Sequence, residues 1–372
     1  MPVRTPYLQV KLEGQDITDW VGSASVTEDD KQADSVTLVI PDPMLLYSDS
    51  LFEGSTAEVD MGYNEPNQHA LMIRATITKV EQSYPENGNP AVTLKGEDKS
   101  IQMALTEKKK NWKDQTVSNI VRAVVNPYGF SSVTVRLDPD PMIKSKPLHQ
   151  DGKTDLAFLQ ETAGKYHSKC FIELDENNQE AFYFIPERQI VNLKRPDKLI
   201  LNYRSGPNSN LLAFSPRFDS SYIDRMKVVT SVDHTGKTIS SREKPPADTF
   251  IWNLDPDKLR LASQADRQRI QTLYQAGVSR KRDLQQKLNG RKPAVGHVSP
   301  DQADVESTND TLQSKSQGLS GTGTTYGNIW LRAKSNVDIE GVNERFSGTW
   351  YVNSVTHKLD NNGYKTDFKC VR

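Results

Sequence analysis

The chain has 372 residues, 35% of them hydrophobic and 26% charged, with a formal net charge of -1, a pI near 6.6 and a mean hydropathy of -0.66. That length suggests two to four domains at about 100–200 residues each, and the near-neutral charge excludes a global basic field for holding nucleic acid. No stretch reaches the roughly 18–20 apolar residues of a membrane-spanning helix, and residues 1–10 lack the apolar region of a cleaved secretion signal, so synthesis and folding are expected in a cytoplasm.

From Tyr7 to about Glu97 apolar residues alternate, at Leu8, Val10 and Leu12 and again at Leu71, Ile73 and Ile77, which predicts an all-β domain over residues 1–100. Its breaks are turn chemistry at Glu13-Gly14-Gln15, Pro41-Asp42-Pro43 and Glu86-Asn87-Gly88-Asn89-Pro90. The period then changes. Val117, Ile120, Val121 and Val124 recur at helical spacing behind a Thr116 cap, and the helix should stop at Asn126-Pro127. A second helix is expected from Thr154 or Asp155, presenting Leu156, Leu159 and Ala163, and then a hairpin of residues 170–174 and 181–185 across Asp175-Glu176-Asn177-Asn178. Residues 101–198 therefore read as an α+β module.

Strand patterns resume at 211–214 and 227–232, and a second β domain is expected from residues 199–240 together with 326–372. Between them, residues 241–325 form a polar insertion. Residues 265–288 can be helical, with Ile270, Leu273, Tyr274, Leu284 and Leu288 as a thin apolar stripe that needs a partner surface, while residues 299–323 have the composition of a flexible linker. The last strands flank Asp360-Asn361-Asn362-Gly363, with Tyr364, Thr366, Phe368 and Cys370 alternating.

The two β regions echo each other. Val59-Asp60-Met61-Gly62-Tyr63-Asn64-Glu65 aligns, with one inserted residue, to Val337-Asp338-Ile339-Glu340-Gly341-Val342-Asn343-Glu344. Val80 precedes Asn87-Gly88 by seven positions, and Val355 precedes Asn362-Gly363 by the same interval. This predicts a duplication in which Val59, Asp60, Gly62 and Asn64 hold the places of Val337, Asp338, Gly341 and Asn343. A trimer of such a chain would present a pseudo-sixfold face.

Chemistry is hard to find. Gly152-Lys153-Thr154 and Gly236-Lys237-Thr238 lack the earlier glycine of a phosphate-cradling loop, where Pro147 and Ser231 stand instead. His69, His149, His167, His234, His297 and His357 show no i, i+4 pairing, and Cys170 and Cys370, 200 positions apart, form no ligand set. Lys108, Lys109, Lys110 and Lys113 around Trp112 read as a solvated loop. The carboxylates Glu28-Asp29-Asp30 and Asp138-Pro139-Asp140 read as turn acids, although a hydrolytic pair is defined only by its separation in space. No cofactor and no metal is expected. Trp20, Trp112, Trp252, Trp330 and Trp350 are scattered, which suits packing better than a carbohydrate-binding face.

The C-terminal run Phe346-Ser347-Gly348-Thr349-Trp350-Tyr351-Val352-Asn353-Ser354-Val355-Thr356-His357, followed by Asn362-Gly363-Tyr364-Lys365-Thr366-Asp367-Phe368, resembles the phage late control D protein family. So do Gly14-Gln15-Asp16-Ile17-Thr18, Ala33-Asp34-Ser35, Val59-Asp60-Met61-Gly62-Tyr63 and the region from Trp112 to Tyr128. The likeness spans the chain except residues 241–325. It implies a non-enzymatic baseplate hub: two tube-type β-barrel domains flanking an α+β domain, a homotrimer forming a six-unit ring, and a join between a threefold spike and a sixfold tail tube. Implied partners are a separate trimeric spike protein, a tube or tube-initiator protein, and tape-measure and baseplate wedge proteins. Implied exclusions are membrane insertion and sequence-specific nucleic acid. A tail-associated cell-envelope hydrolase and a carbohydrate-binding adhesin are the alternatives.

Overall fold

The structure, a computed structural model, describes residues 4–137, 140–143, 147–166, 168–186, 190, 199–219, 228–232, 238–242, 253–288, 292–293 and 318–372. The first β region supplies β1 (Pro6–Leu12), β2 (Gln15–Asp16), β3 (Ser23–Asp29), β4 (Ser35–Pro41), β5 (Thr56–Tyr63), β6 (His69–Ser83) and β7 (Ala91–Glu97). Alternation does what period-2 patterning requires: Val36, Leu38 and Ile40 of β4, Ala57, Val59 and Met61 of β5 and Val92 and Leu94 of β7 are buried in one core. Each of these Val, Leu, Ile and Met side chains contributes about 1.5–3 kcal/mol by leaving water.

The α+β module follows with α1 (Ser100–Ala104), β8 (Glu107–Trp112), β9 (Gln115–Thr116), α2 (Val117–Val125), β10 (Val133–Val135), β11 (Met142–Ile143), β12 (Leu148–Thr154), α3 (Asp155–Lys165), β13 (Ser168–Leu174) and β14 (Glu180–Pro186). Thr116 caps α2 by accepting the Asn119 N–H at 3.3 Å, and Thr154 caps α3 by accepting that of Ala157 at 3.2 Å. Val117, Ile120, Val121 and Val124 are buried, and Pro127 ends the helix in a 3-10 turn closed by Gly129 at φ 62°. Helix α3 lies against β13 of the three-stranded sheet β10-β14-β13.

The rest comprises β15 (Leu199–Asn202), β16 (Leu211–Phe218), β17 (Val228–Val232), β18 (Thr238–Arg242), α4 (Pro256–Arg260), α5 (Gln264–Leu288), β19 (Lys292–Pro293), β20 (Leu319–Tyr326), β21 (Ser335–Glu340), β22 (Gly348–Asp360) and β23 (Gly363–Val371). Two expectations shift. Strand β17, read as part of the second β domain, pairs with β18 and β19 in a separate three-stranded sheet. Residues 319–323, read as linker, begin β20. At Gly323 the missing side chain reflects crowding, because a Cβ there would lie 2.4 Å from the Phe368 ring. Residues 299–317 lie outside the described residues.

The strand neighbours carry the main result. The first region runs β1-β5-β6-β7-β4-β3, and the second runs β15-β21-β22-β23-β20-β16, taking its strands in the same chain order. The five residues between β3 and β4 correspond in position to the long excursion between β16 and β20. One 13-stranded sheet contains both regions because β3 pairs antiparallel with β22, from Asp29 opposite Ser354 to Ala24 opposite Leu359. Among the described residues no ladder closes either set into a barrel. The first ends in unpaired β1 and β3 edges with respect to each other, and the second has only an isolated bridge between Tyr203 and Leu211.

The chain divides into two compact units, one of residues 1–214, 322–338 and 350–370, the other of 215–321, 339–349 and 371–372. The second holds the β17–β19 sheet, α4 and α5. Within it the Phe218 ring lies 4.4 Å from the Arg345 guanidinium and 4.8 Å from Lys281 Nζ. No helix among the described residues is long and apolar enough to cross a membrane.

Candidate functional site

The most unusual chemistry in the first unit is buried charge. Burial of an unpaired charge is strongly unfavourable, so the pairing must be complete. Glu28, on the core face of β3 with no exposed surface, accepts the Ala333 N–H at 3.1 Å and contacts the Arg332 guanidinium. Lys334, its side chain 4% exposed, places Nζ 3.3 Å from Asp34 and 3.2 Å from Glu173 of β13, with the Phe171 ring 5.1 Å away. Asp34 accepts the Asp29 N–H at 3.0 Å and donates its own N–H to Asp98 at 3.0 Å. Lys169 lies 3.1 Å from Asp30, which also accepts from Tyr351 Oη.

Burial opposes the charge on Lys334, but the pull of Asp34 and Glu173 outweighs it and lifts its pKa above the ordinary lysine value. Arg332 is raised in the same way by Glu28 and Glu173. Burial also raises Asp34 well above the carboxylate range despite Lys334, and raises Asp98. Five carboxylates, Glu28, Asp30, Asp34, Asp98 and Glu173, face three cations, and burial favours protons on Asp34 and Asp98. The cluster ties the β3–β4 turn, β13 and the residues leading into β21. The adjoining cavity, lined in part by Gln32, Asp98, Cys170 and Phe171, has a volume of about 20 Å³, room for about one water. Its arrangement is that of a clamp. Lys334 also adopts φ 62°, a left-handed conformation that costs a lysine about 1–3 kcal/mol.

Other sequence candidates fall to structural roles. His357 is buried and its Nδ1 lies 2.8 Å from Tyr364 Oη. His69 meets Asp60 at 3.1 Å, and His149 meets Asn111 at 2.7 Å. His167, His234, His297 and Trp252 lie outside the described residues. Cys170 and Cys370 are free thiols, and burial pushes Cys170 up to about 12. The lysine run is structural too: Lys108 lies 2.5 Å from Asp155, Lys109 3.4 Å from Asp151, and Lys110 3.7 Å from the Trp112 ring. Gly152 makes the bulge before the α3 cap. Asp140 accepts the Ser118 N–H, while Asp138 and Pro139 are outside the described residues. No three His, Cys, Asp or Glu side chains among the described residues are arranged to hold a metal.

Val59, Asp60 and Gly62 lie on β5 with Asn64 just beyond. Val337 and Asp338 lie on β21, with Gly341 and Asn343 in the following turn. A Cβ on Gly62 would come 2.1 Å from the Gln68 carbonyl oxygen, so close approach of the backbone demands glycine there. On α5, Ile270, Leu273 and Leu284 are 37%, 71% and 40% exposed. Tyr274 is half-buried, and the Leu288 side chain lies outside the described residues. Sequence reasoning singled out Glu28 and Asp30 as turn acids but missed Lys169, Glu173, Arg332 and Lys334, whose partners lie far along the chain and leave no local pattern.

This mainly β architecture is that of phage tail proteins. It matches the tail protein of Neisseria meningitidis MC58 with a TM-score of 0.67 at 14% identity, covering 99% of this chain and 97% of that one. It matches the 43 kDa tail protein of prophage MuSo2 from Shewanella oneidensis at 0.68 and 13%, covering 99% and 98%. The E. coli c3393 protein, a component of the type VI secretion system, gives 0.54 at 10% identity over 97% of this chain and 76% of that one. No family model and no curated protein matches the sequence.

Proposed function

We propose that this chain is a structural baseplate hub: three copies form a pseudo-sixfold ring that joins a central spike to the tail tube in a contractile phage tail or phage-tail-like injection system. The observation that carries the reading is the repeated neighbour order of the two β regions. Two near-equivalent units per chain, taken three times, give six positions around an axis, which suits a junction between threefold and sixfold partners. The likeness to tail proteins over nearly the full chain supports it. So does the buried charge cluster, which holds segments together.

In this reading β5 and β21 are equivalent, with Val59, Asp60, Gly62 and Asn64 in the places of Val337, Asp338, Gly341 and Asn343. The exposed stripe on α5 meets a baseplate neighbour. Partners are two further copies, a trimeric spike, the tube or its initiator, and tape-measure and wedge proteins. The site of action is the baseplate of a virion or injection particle, assembled in the bacterial cytoplasm. The test is the molar mass by light scattering after size exclusion, alone and mixed with the candidate spike. A trimer in either condition is expected, and a monomer in both refutes the hub.

A further inference from the structure

The hub reading leaves open how one chain meets the next. Five large apolar side chains lie exposed on the connector between β4 and β5 and on the strand end beside it. Met44, Leu45, Leu46, Phe52 and Tyr84 are between 50% and 74% exposed. Single exposed apolar residues need no explanation, whereas such a group marks a contact surface.

The connector is fixed at several points. Asp42 accepts the N–H groups of Leu46, Tyr47 and Ser48 at 2.7, 3.1 and 3.0 Å, and its own N–H donates to the Pro90 carbonyl at 2.8 Å. Tyr47 stacks on Trp20 with ring centroids 4.3 Å apart, and Gln82 Nε2 donates to the Ser48 carbonyl at 3.4 Å, which ties the connector to the end of β6. Leu45 adopts φ 54°, a conformation that a leucine holds only when its surroundings impose it. Apolar side chains carried on such a frame lose little freedom on binding.

The internal repeat shows what covers the corresponding surface. Gly54 and Lys334, both at positive φ, donate their N–H groups to the Ile77 and Val352 carbonyls, each at 2.8 Å. Three residues earlier both connectors bury a leucine, Leu51 and Leu331. Phe52 therefore stands where Arg332 does. Counted from Ile77 and Val352, Gln82 and Tyr84 stand where His357 and Leu359 do. In the second region these places are covered by the first: Arg332 contacts Glu28 of β3, Ile329 of the same connector joins the first region's core, and His357 and Leu359 pair with Val26 and Ala24 of β3. In the first region Phe52, Gln82 and Tyr84 are exposed.

A ring that alternates first and second regions repeats this junction six times, and only every other junction lies within a chain. We propose that the β4–β5 connector, anchored by Leu46 and Phe52, docks on the second β region of another copy of this chain, at the end bounded by β16, the strand that corresponds to β3. It takes between chains the place that the β20–β21 connector takes within one. Side chains make the contact, and no backbone ladder on β16 is required, which Pro216 would interrupt. Where the junction inside the chain pairs Arg332 with Glu28, the junction between chains is apolar. The proposal rests on the hub reading above.

The test uses the full chain, with the spike present where the trimer needs it. Leu46→Ser with Phe52→Ser should leave the melting temperature within about 1 °C, because both side chains already face water, and should weaken trimerisation at least about tenfold. A benzophenone side chain placed at position 46 should cross-link on illumination to a peptide from residues 199–218 or 319–372 of another copy, as read by mixing isotopically light and heavy chains. A trimer of unchanged affinity in the double serine variant, or a cross-link to the spike or to the first β region of either chain, would overturn the docking and leave the hub reading intact. A monomer with and without spike would overturn both.

Discussion

Replacing Lys334 with Met removes the cation that pairs with both Asp34 and Glu173, 3.3 and 3.2 Å away, while keeping most of the stem. Glu173 would then keep only Arg332, 4.0 Å away, and Asp34 would lose the cation paired with it in a buried site. Removing one partner of a buried pair costs about 3–5 kcal/mol. At about 2–4 °C per kcal/mol for a unit of this size, the melting temperature should fall by roughly 6–20 °C. Calorimetry at pH 7 reads this directly. The triple variant Lys334→Met, Asp34→Asn, Glu173→Gln should recover most of the loss, because neutral amides can be buried beside a thioether at far lower cost. A Lys334→Met protein within about 1 kcal/mol of the parent would show that water reaches the cluster and would refute the clamp, since exposed ion pairs contribute about that much or less.

Because burial holds Asp34 above its ordinary value of 3.8, the folded chain binds a proton that the unfolded chain releases. Its contribution is therefore fully present below the unfolded value and lost as pH rises through the raised folded value. In urea titrations from pH 4 to 8, Asp34→Asn should flatten this rise in stability toward acid, and an unchanged pH profile would reject it. Gly62→Ala, which drives a methyl into the Gln68 carbonyl at 2.1 Å, should cost on the order of 3 kcal/mol, and chemical denaturation showing less than 1 would mean that the turn yields. Leu273→Ser with Leu284→Ser should leave the melting temperature within about 1 °C and weaken incorporation into baseplates in sedimentation assays. Unfolding of the free chain would instead make the α5 stripe a core element.

Local elements were legible because their causes are local. Thr116 and Pro127 bound α2, Thr154 starts α3, and Asn361-Asn362 turns β22 into β23, since caps, prolines and tight turns act within a few residues. The alternation in β4, β5 and β7 likewise marks which face is buried. The motif shared by Val59-Asp60 and Val337-Asp338 was legible as sequence; the first copy lies on β5, between β1 and β6, and the second on β21, between β15 and β22.

Composition misled where small size meant crowding. Gly323 reads as linker, yet it lies in β20 because the Phe368 ring leaves no room for a side chain. By itself, then, the sequence determined the strand-rich halves, the α+β module between them and their internal echo. The tertiary structure alone decided that β3 pairs with β22, that β17 leaves the large sheet, and that Glu28, Asp34 and Glu173 are buried acids with Arg332 and Lys334 as partners. Periodicity reports which face of a segment avoids water, whereas the identity of what covers that face depends on contacts made some three hundred residues away, as between Thr27 and Thr356.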